Sequence, residues 1–104
     1  MAEKVKILIV DDDPDFVEAT RTVLESALYE VSVAYNGEEG LSKARAERPD
    51  LIILDIIMPT PDGFQVCQKL KADPELAHIP VIMLTSLSQR LHKTTYSLQE
   101  GLRL

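Results

Sequence analysis

Ile7-Leu8-Ile9-Val10-Asp11-Asp12-Asp13-Pro14 is the stretch that decides the fold: an unbroken apolar run that ends abruptly in three carboxylates. Short continuous apolar runs suit parallel strands covered on both faces. A second run of the same kind, Leu51-Ile52-Ile53-Leu54, ends in Asp55. In such sheets ligands bind in the crevice beyond the carboxyl ends of the strands. Two strands thus deliver negative charge to one rim, and that arrangement calls for a cation.

Outward from these runs the pattern alternates strand and helix. Val5 to Val10 reads as the first strand. Asp13 is placed as an N-cap with Pro14 at the first helical position. Phe16, Val17, Val23, Leu24, Ala27 and Leu28 recur at helical spacing and predict a helix over 14–28. Val31, Val33 and Tyr35 alternate as a short strand at a sheet edge. Asn36-Gly37 is turn chemistry, followed by a helix over 38–46 with Leu41 and Ala44 inward. Strand three is Leu51 to Leu54, and Met58 to Gly63 reads as a loop. A helix on Phe64, Val66, Cys67 and Leu70 follows, closed by Asp73-Pro74. Pro80 introduces strand four, Val81 to Leu84. Four βα units in a row mean an α/β fold with a parallel sheet and right-handed crossovers.

The chain has 104 residues, which fits one domain. Its hydrophobic fraction of 45% is enough for a real core. A formal net charge of −6 argues against a nucleic-acid surface. No apolar run approaches the roughly 20 residues that cross a bilayer, and no secretory leader pattern opens the chain. The single cysteine, Cys67, cannot form an internal disulfide, which points to a reducing cytoplasm and a packing role for the thiol.

Asp11 or Asp12 and Asp55, brought together at strand ends, repel by about 4 kcal/mol per pair at 4 Å and an effective dielectric near 20. A divalent cation removes that repulsion. A few hard oxygen ligands with room for water and phosphate oxygens suit Mg²⁺. The run Asp11-Asp12-Asp13-Pro14-Asp15 has the look of an EF-hand loop, but Phe16 and Thr22 stand where that loop requires Gly and Glu. His78 and His92 have no second metal-type ligand nearby and read as surface residues.

The segments Ile7 to Pro14, Pro49 to Asp55, Met58-Pro59, Asp62-Gly63 and Ile79 to Thr85, in this order and spacing, resemble the receiver domain of two-component response regulators. The likeness covers about residues 4–86 and implies a flavodoxin-like doubly wound sheet. Its family order is 2-1-3-4-5. By that resemblance Asp55 is the acceptor of a phosphoryl group from a sensor histidine kinase or histidine phosphotransfer protein. Asp11 and Asp12 are the acidic pair that holds Mg²⁺, and Ile57 contributes its backbone carbonyl to the metal shell. Thr85 is the hydroxyl residue that turns toward the phosphoryl oxygens.

Past Thr85 the pattern departs from the family. A core over 1–86 is followed by an atypical helical tail over 87–104, giving order 2-1-3-4 without the usual fifth strand and last helix. Lys93 falls too close behind Thr85 to match the family's lysine, which implies slow or short-lived labelling. Tyr96 does not match the family's aromatic switch residue, Ser86 replaces a small residue, and Pro61 is unusual in its loop. Leu87, Leu91, Leu98 and Leu102 fall on one stripe of a helix over about 88–100. With the strand Val81 to Leu84 left as a sheet edge, this predicts a homodimer. Two other functions compete with a phosphoacceptor that has no substrate of its own. One is an interaction module independent of phosphate. The other is a phosphohydrolase of the haloacid-dehalogenase type on Asp11 and Asp13, where Asp15 is the wrong residue.

Overall fold

The computed structural model describes residues 4–86 and 93–94, with side chains for residues 4–84. The elements are β1 (Lys6–Val10), α1 (Pro14–Ser26), β2 (Glu30–Ala34), α2 (Gly37–Glu47), β3 (Leu51–Asp55), α3 (Gly63–Ala72), β4 (Val81–Ser86) and β5 (Lys93–Thr94). The sheet order is β2-β1-β3-β4-β5. Strands β1 to β4 are parallel, as the unbroken apolar runs require. Register sets Val10 beside Leu54, so the residues that follow each, Asp11 and Asp55, leave the sheet at one level.

Each helix starts where the sequence offers a cap. Asp13 accepts from the amides of Asp15 and Phe16, and Asn36 accepts from Glu39. Asp62 and Gln65 form a reciprocal capping box at α3. The larger core packs Leu8, Val10, Ile52 and Leu54 of the sheet against Leu41 and Ala44 of α2 and Val66 and Leu70 of α3. Cys67 is half-buried against it, in keeping with a packing role. On the opposite face Ile7, Ile9 and Val17 are buried, with Leu24, Val31, Val33, Leu51 and Ile53 partly covered.

The helix expected over 14–28 stops at Ser26, and three of the residues that set its spacing are exposed: Ala27, Val23 at 65% and Leu28 at 71%. At 3.6 residues per turn Val23 lies about 120° around the helix from Val17, off the stripe that meets the sheet. Leu28 lies past the helix end. Its amide donates to Glu25 O and that of Tyr29 to Leu24 O, a Schellman ending with Leu28 in the left-handed region at φ 72. Leu76 and Ile79, in the turns between α3 and β4, are each 1% exposed and belong to the larger core.

The outer edge of β2 is occupied by α2. Glu30 N–H donates inward to Val5 O, so by alternation the odd-numbered backbone groups of β2 face outward. Lys43 Nζ donates to Val33 O at 2.5 Å, and Tyr35 N–H donates to Glu39 Oε1 at 2.9 Å. Ser32 Oγ donates to Glu47 at 2.5 Å. Glu39, Lys43 and Glu47, one turn apart, thus lie along the edge that would otherwise be open to another strand.

The other edge corrects an expectation. The parallel strands keep the expected order 2-1-3-4 without the usual parallel fifth strand, but Lys93 and Thr94 pair antiparallel with Ser86 and Thr85. A helix running through 88–100 is overturned at these two residues. The remainder of the leucine stripe lies outside the described residues, as do His92 and Tyr96. Among the described residues there is no parallel fifth strand and no fourth helix. His78 is exposed, as expected of a surface residue.

Candidate functional site

The crevice beyond β1 and β3 gathers the three carboxylates singled out in the sequence. Asp11, Asp12 and Asp55 each offer an oxygen, and these atoms lie within 4.8 Å of one another. Asp11 is 1% and Asp55 0% exposed, while Asp12 is half-buried. Backbone amides orient two of them. Asp13 N–H donates to Asp11 Oδ1 at 2.9 Å, and Ile57 N–H donates to Asp55 Oδ1 at 3.2 Å. The Asp13 carboxylate is engaged at the cap of α1 and takes no part in the cluster. That leaves a phosphohydrolase built on Asp11 and Asp13 without its second carboxylate.

Unit charges no more than 4.8 Å apart repel by at least about 3.5 kcal/mol per pair at an effective dielectric near 20. Burial sharpens that repulsion, because less water screens it. Three oxygen donors facing one crevice are the donor set of a hard cation with a partial water shell.

The other residues that the resemblance singled out lie close to this cluster by chain position or strand register. Ile57 is 51% exposed, two residues beyond Asp55 at the mouth of the crevice. Asp55 is in register with Leu84, so Thr85 comes one residue further along β4. Ile56 N–H donates to Leu84 O at 2.7 Å, tying the β3 end to β4. Gly63, which the sequence offered only as part of a family motif, is buried directly against this segment. A Cβ on it would meet the Asp55 carbonyl oxygen and lie 2.6 Å from Ile56 Cα. The signal available in the sequence was Asp62-Gly63, a cap followed by the smallest residue.

The family model for the response regulator receiver domain matches residues 7–103, nearly the whole chain. The chain belongs to the response regulator receiver family. The match runs on past residue 86, where the resemblance in the sequence stopped. Response regulator PleD of Caulobacter vibrioides is 46% identical to this receiver domain over 85 residues, 82% of the chain but 19% of that protein. Protein PilH of Pseudomonas aeruginosa is 41% identical over 88 residues, 85% of the chain and 73% of PilH. The N-terminal domain of a response regulator receiver protein from Methanoculleus marisnigri superposes with a TM-score of 0.77 at 39% identity, over 91% of this chain and 74% of that one. The Vibrio cholerae chemotaxis protein CheY4 gives a TM-score of 0.79 at 26% identity, over 97% and 98%. The receiver domain thus spans only about a fifth of PleD and most of the smaller relatives. No helix among the described residues is long and apolar enough to cross a membrane.

Proposed function

We propose that this receiver domain is a phosphoacceptor module of a two-component relay, taking a phosphoryl group on Asp55 from a histidine kinase or histidine phosphotransfer protein. The observation that carries the reading is the carboxylate cluster: Asp55 is fully buried at a strand end, within 4.8 Å of Asp11 and Asp12 oxygens. Family membership and the sheet register, which brings Asp55 level with those two residues, support it.

The donor set fits Mg²⁺, with Asp11, Asp12, Asp55 and the Ile57 carbonyl as the residues that would hold it. When bound, Mg²⁺ supplies positive charge to the phosphoryl oxygens and offsets the repulsion among the carboxylates. The chain's own contribution is position. The Ile57 amide holds the Asp55 carboxylate in place by donating to Oδ1, and a carboxylate oxygen of Asp55 attacks phosphorus. As the new O–P bond forms, the donor's P–N bond to histidine breaks, or its P–O bond in acetyl phosphate. Such transfer demands little covalent chemistry of the protein and much orientation. Thr85, next along β4 from the residue paired with Asp55, is assigned a hydrogen bond from its hydroxyl to a phosphoryl oxygen. No reaction on a separate substrate is assigned.

The test is intact-protein mass after incubation with acetyl phosphate and Mg²⁺. Wild type should gain one phosphate and Asp55→Asn none; a phosphate that survives that substitution places the acceptor elsewhere. An interaction module that works without phosphate would show no added mass on the wild type.

Self-association is the second part of the reading. Among the described residues β5 pairs only with Thr85 and Ser86, so the apolar stretch Val81 to Leu84 is the side on which a second copy would add. Light scattering that gives the 11.6 kDa monomer at every concentration overturns it.

A further inference from the structure

The first turn of α3 is pressed against the backbone of the proposed acceptor. Gly63 is buried, and a Cβ built on it would meet the Asp55 carbonyl oxygen, with Ile56 Cα at 2.6 Å and Asp55 carbonyl carbon at 2.9 Å. These are main-chain atoms, which cannot rotate out of the way as a side chain can. The Gly63 amide donates to Ile56 O at 3.0 Å, and Ile56 N–H donates to Leu84 O at 2.7 Å. The Asp55–Ile57 segment is therefore clamped between β4 on one side and α3 on the other. The Asp62–Gln65 capping box fixes the turn that does the clamping.

We propose that Gly63 is a positioning residue for phosphoryl transfer: its missing Cβ lets α3 seat directly on the Asp55–Ile56 backbone, and that seat aims the Asp55 carboxylate. The inference rests on the reading of Asp55 as phosphoacceptor. It goes beyond that reading by making the helix behind the strand part of the transfer geometry. Any side chain at 63 must push either the helix or the strand end away, and the Ile57 amide that orients Asp55 Oδ1 moves with it. Reacting groups displaced by about 1 Å lose on the order of a hundredfold in rate.

Gly40 supplies the control. A Cβ there would lie 2.8 and 2.9 Å from the two γ-carbons of Val10, a milder clash, and with a side chain rather than with main chain. The experiment measures the initial rate of phosphate uptake from acetyl phosphate with saturating Mg²⁺, alongside thermal melting, for wild type, Gly63→Ala and Gly40→Ala. Gly63→Ala is expected to label roughly tenfold or more slowly. Gly40→Ala should stay within about twofold of wild type even though it too melts lower. Equal slowing in both variants, or wild-type labelling in Gly63→Ala, overturns the inference.

A second pair covers the case in which Gly63→Ala does not fold. Asp62→Ala and Asn36→Ala each remove one helix N-cap, but only Asp62 caps the helix seated on Asp55. Labelling should slow about threefold or more in Asp62→Ala and stay near wild type in Asn36→Ala. The opposite ranking overturns the proposal. Absence of label on wild type overturns the phosphoacceptor reading itself, a result distinct from normal labelling of the glycine variant.

Discussion

At the amino end of the sheet the strands begin exposed or half-covered, with Lys6, Glu30 and Leu51; at the carboxyl end they finish in Val10, Ala34 and Asp55, all buried. Charge is handled differently at the two ends. Around the amino end carboxylates sit opposite guanidinium groups: Arg48 pairs with Glu75 and Arg45 with Asp73, all at least partly open to solvent. At the carboxyl end three carboxylates face one another, Asp11 and Asp55 buried and Asp12 half-buried. Exposed pairs of the first kind contribute little to stability, because water screens them. A buried cluster of like charges is costly, and it persists where a cation or a phosphoryl group is to be bound. The contrast sets two exposed pairs, Arg48–Glu75 and Arg45–Asp73, against a mostly buried carboxylate cluster at the other end of the same strands.

The largest expected effect tests the burial half of that contrast. Leu54→Ala, at the dry end of β3, should lower unfolding free energy by about 2–5 kcal/mol, and Leu51→Ala at the other end by less than half as much. Chemical denaturation of both variants checks it, and equal losses would erase the difference between the ends.

Next comes the charge cluster. Mg²⁺ at about a hundred times its dissociation constant should stabilise the fold by about 2.7 kcal/mol. The melting shift should vanish in Asp12→Asn. That variant should itself melt higher than wild type without Mg²⁺, since one of three mutually repelling charges is gone. A full Mg²⁺ shift in Asp12→Asn would remove Asp12 from the metal set.

A smaller effect belongs to the amino end, where Leu28 sits at φ 72 with its side chain in solvent. The left-handed conformation is unfavourable for leucine and free of that cost for glycine, so Leu28→Gly should stabilise by about 1 kcal/mol. Thermal melting decides it; a lower melting temperature would mean that the leucine makes a contact stronger than the strain. Smallest of all, Arg48→Ala should cost roughly 0.2–1 kcal/mol, shrinking as salt is added. A loss that salt does not reduce would show that the amino-end pairs are not screened surface pairs.

How legible this was in the sequence depended on the range of the interaction. The caps at Asp13, Asn36 and Asp62 are contacts within three residues; the sequence showed Asp13 as a cap and Asn36-Gly37 as a turn, while Asp62 was read only as part of a loop. Asp11, Asp12 and Asp55 could be grouped because strand ends in a parallel sheet converge on one rim. The helical stripe on α1 was less legible. Val23 and Leu28 have the right chemistry for a core, but which side of the helix meets the sheet depends on where β1 and β3 lie. Leu76 and Ile79 gave no period to read, because they lie in turns.

Local order, in short, was written into the chain: apolar runs that can only be strands covered on both faces, polar caps that start each helix, and carboxylates set just past the strand ends. Those choices are made by neighbours in sequence, so the amino acids alone determine them. The tertiary structure decided what touches across the chain. It turned Lys93 and Thr94 into an antiparallel strand on β4 where a leucine stripe suggested helix. It also brought Gly63 against the Asp55 backbone, a contact legible only once α3 is folded onto β3, because a missing Cβ matters only when something fills its place.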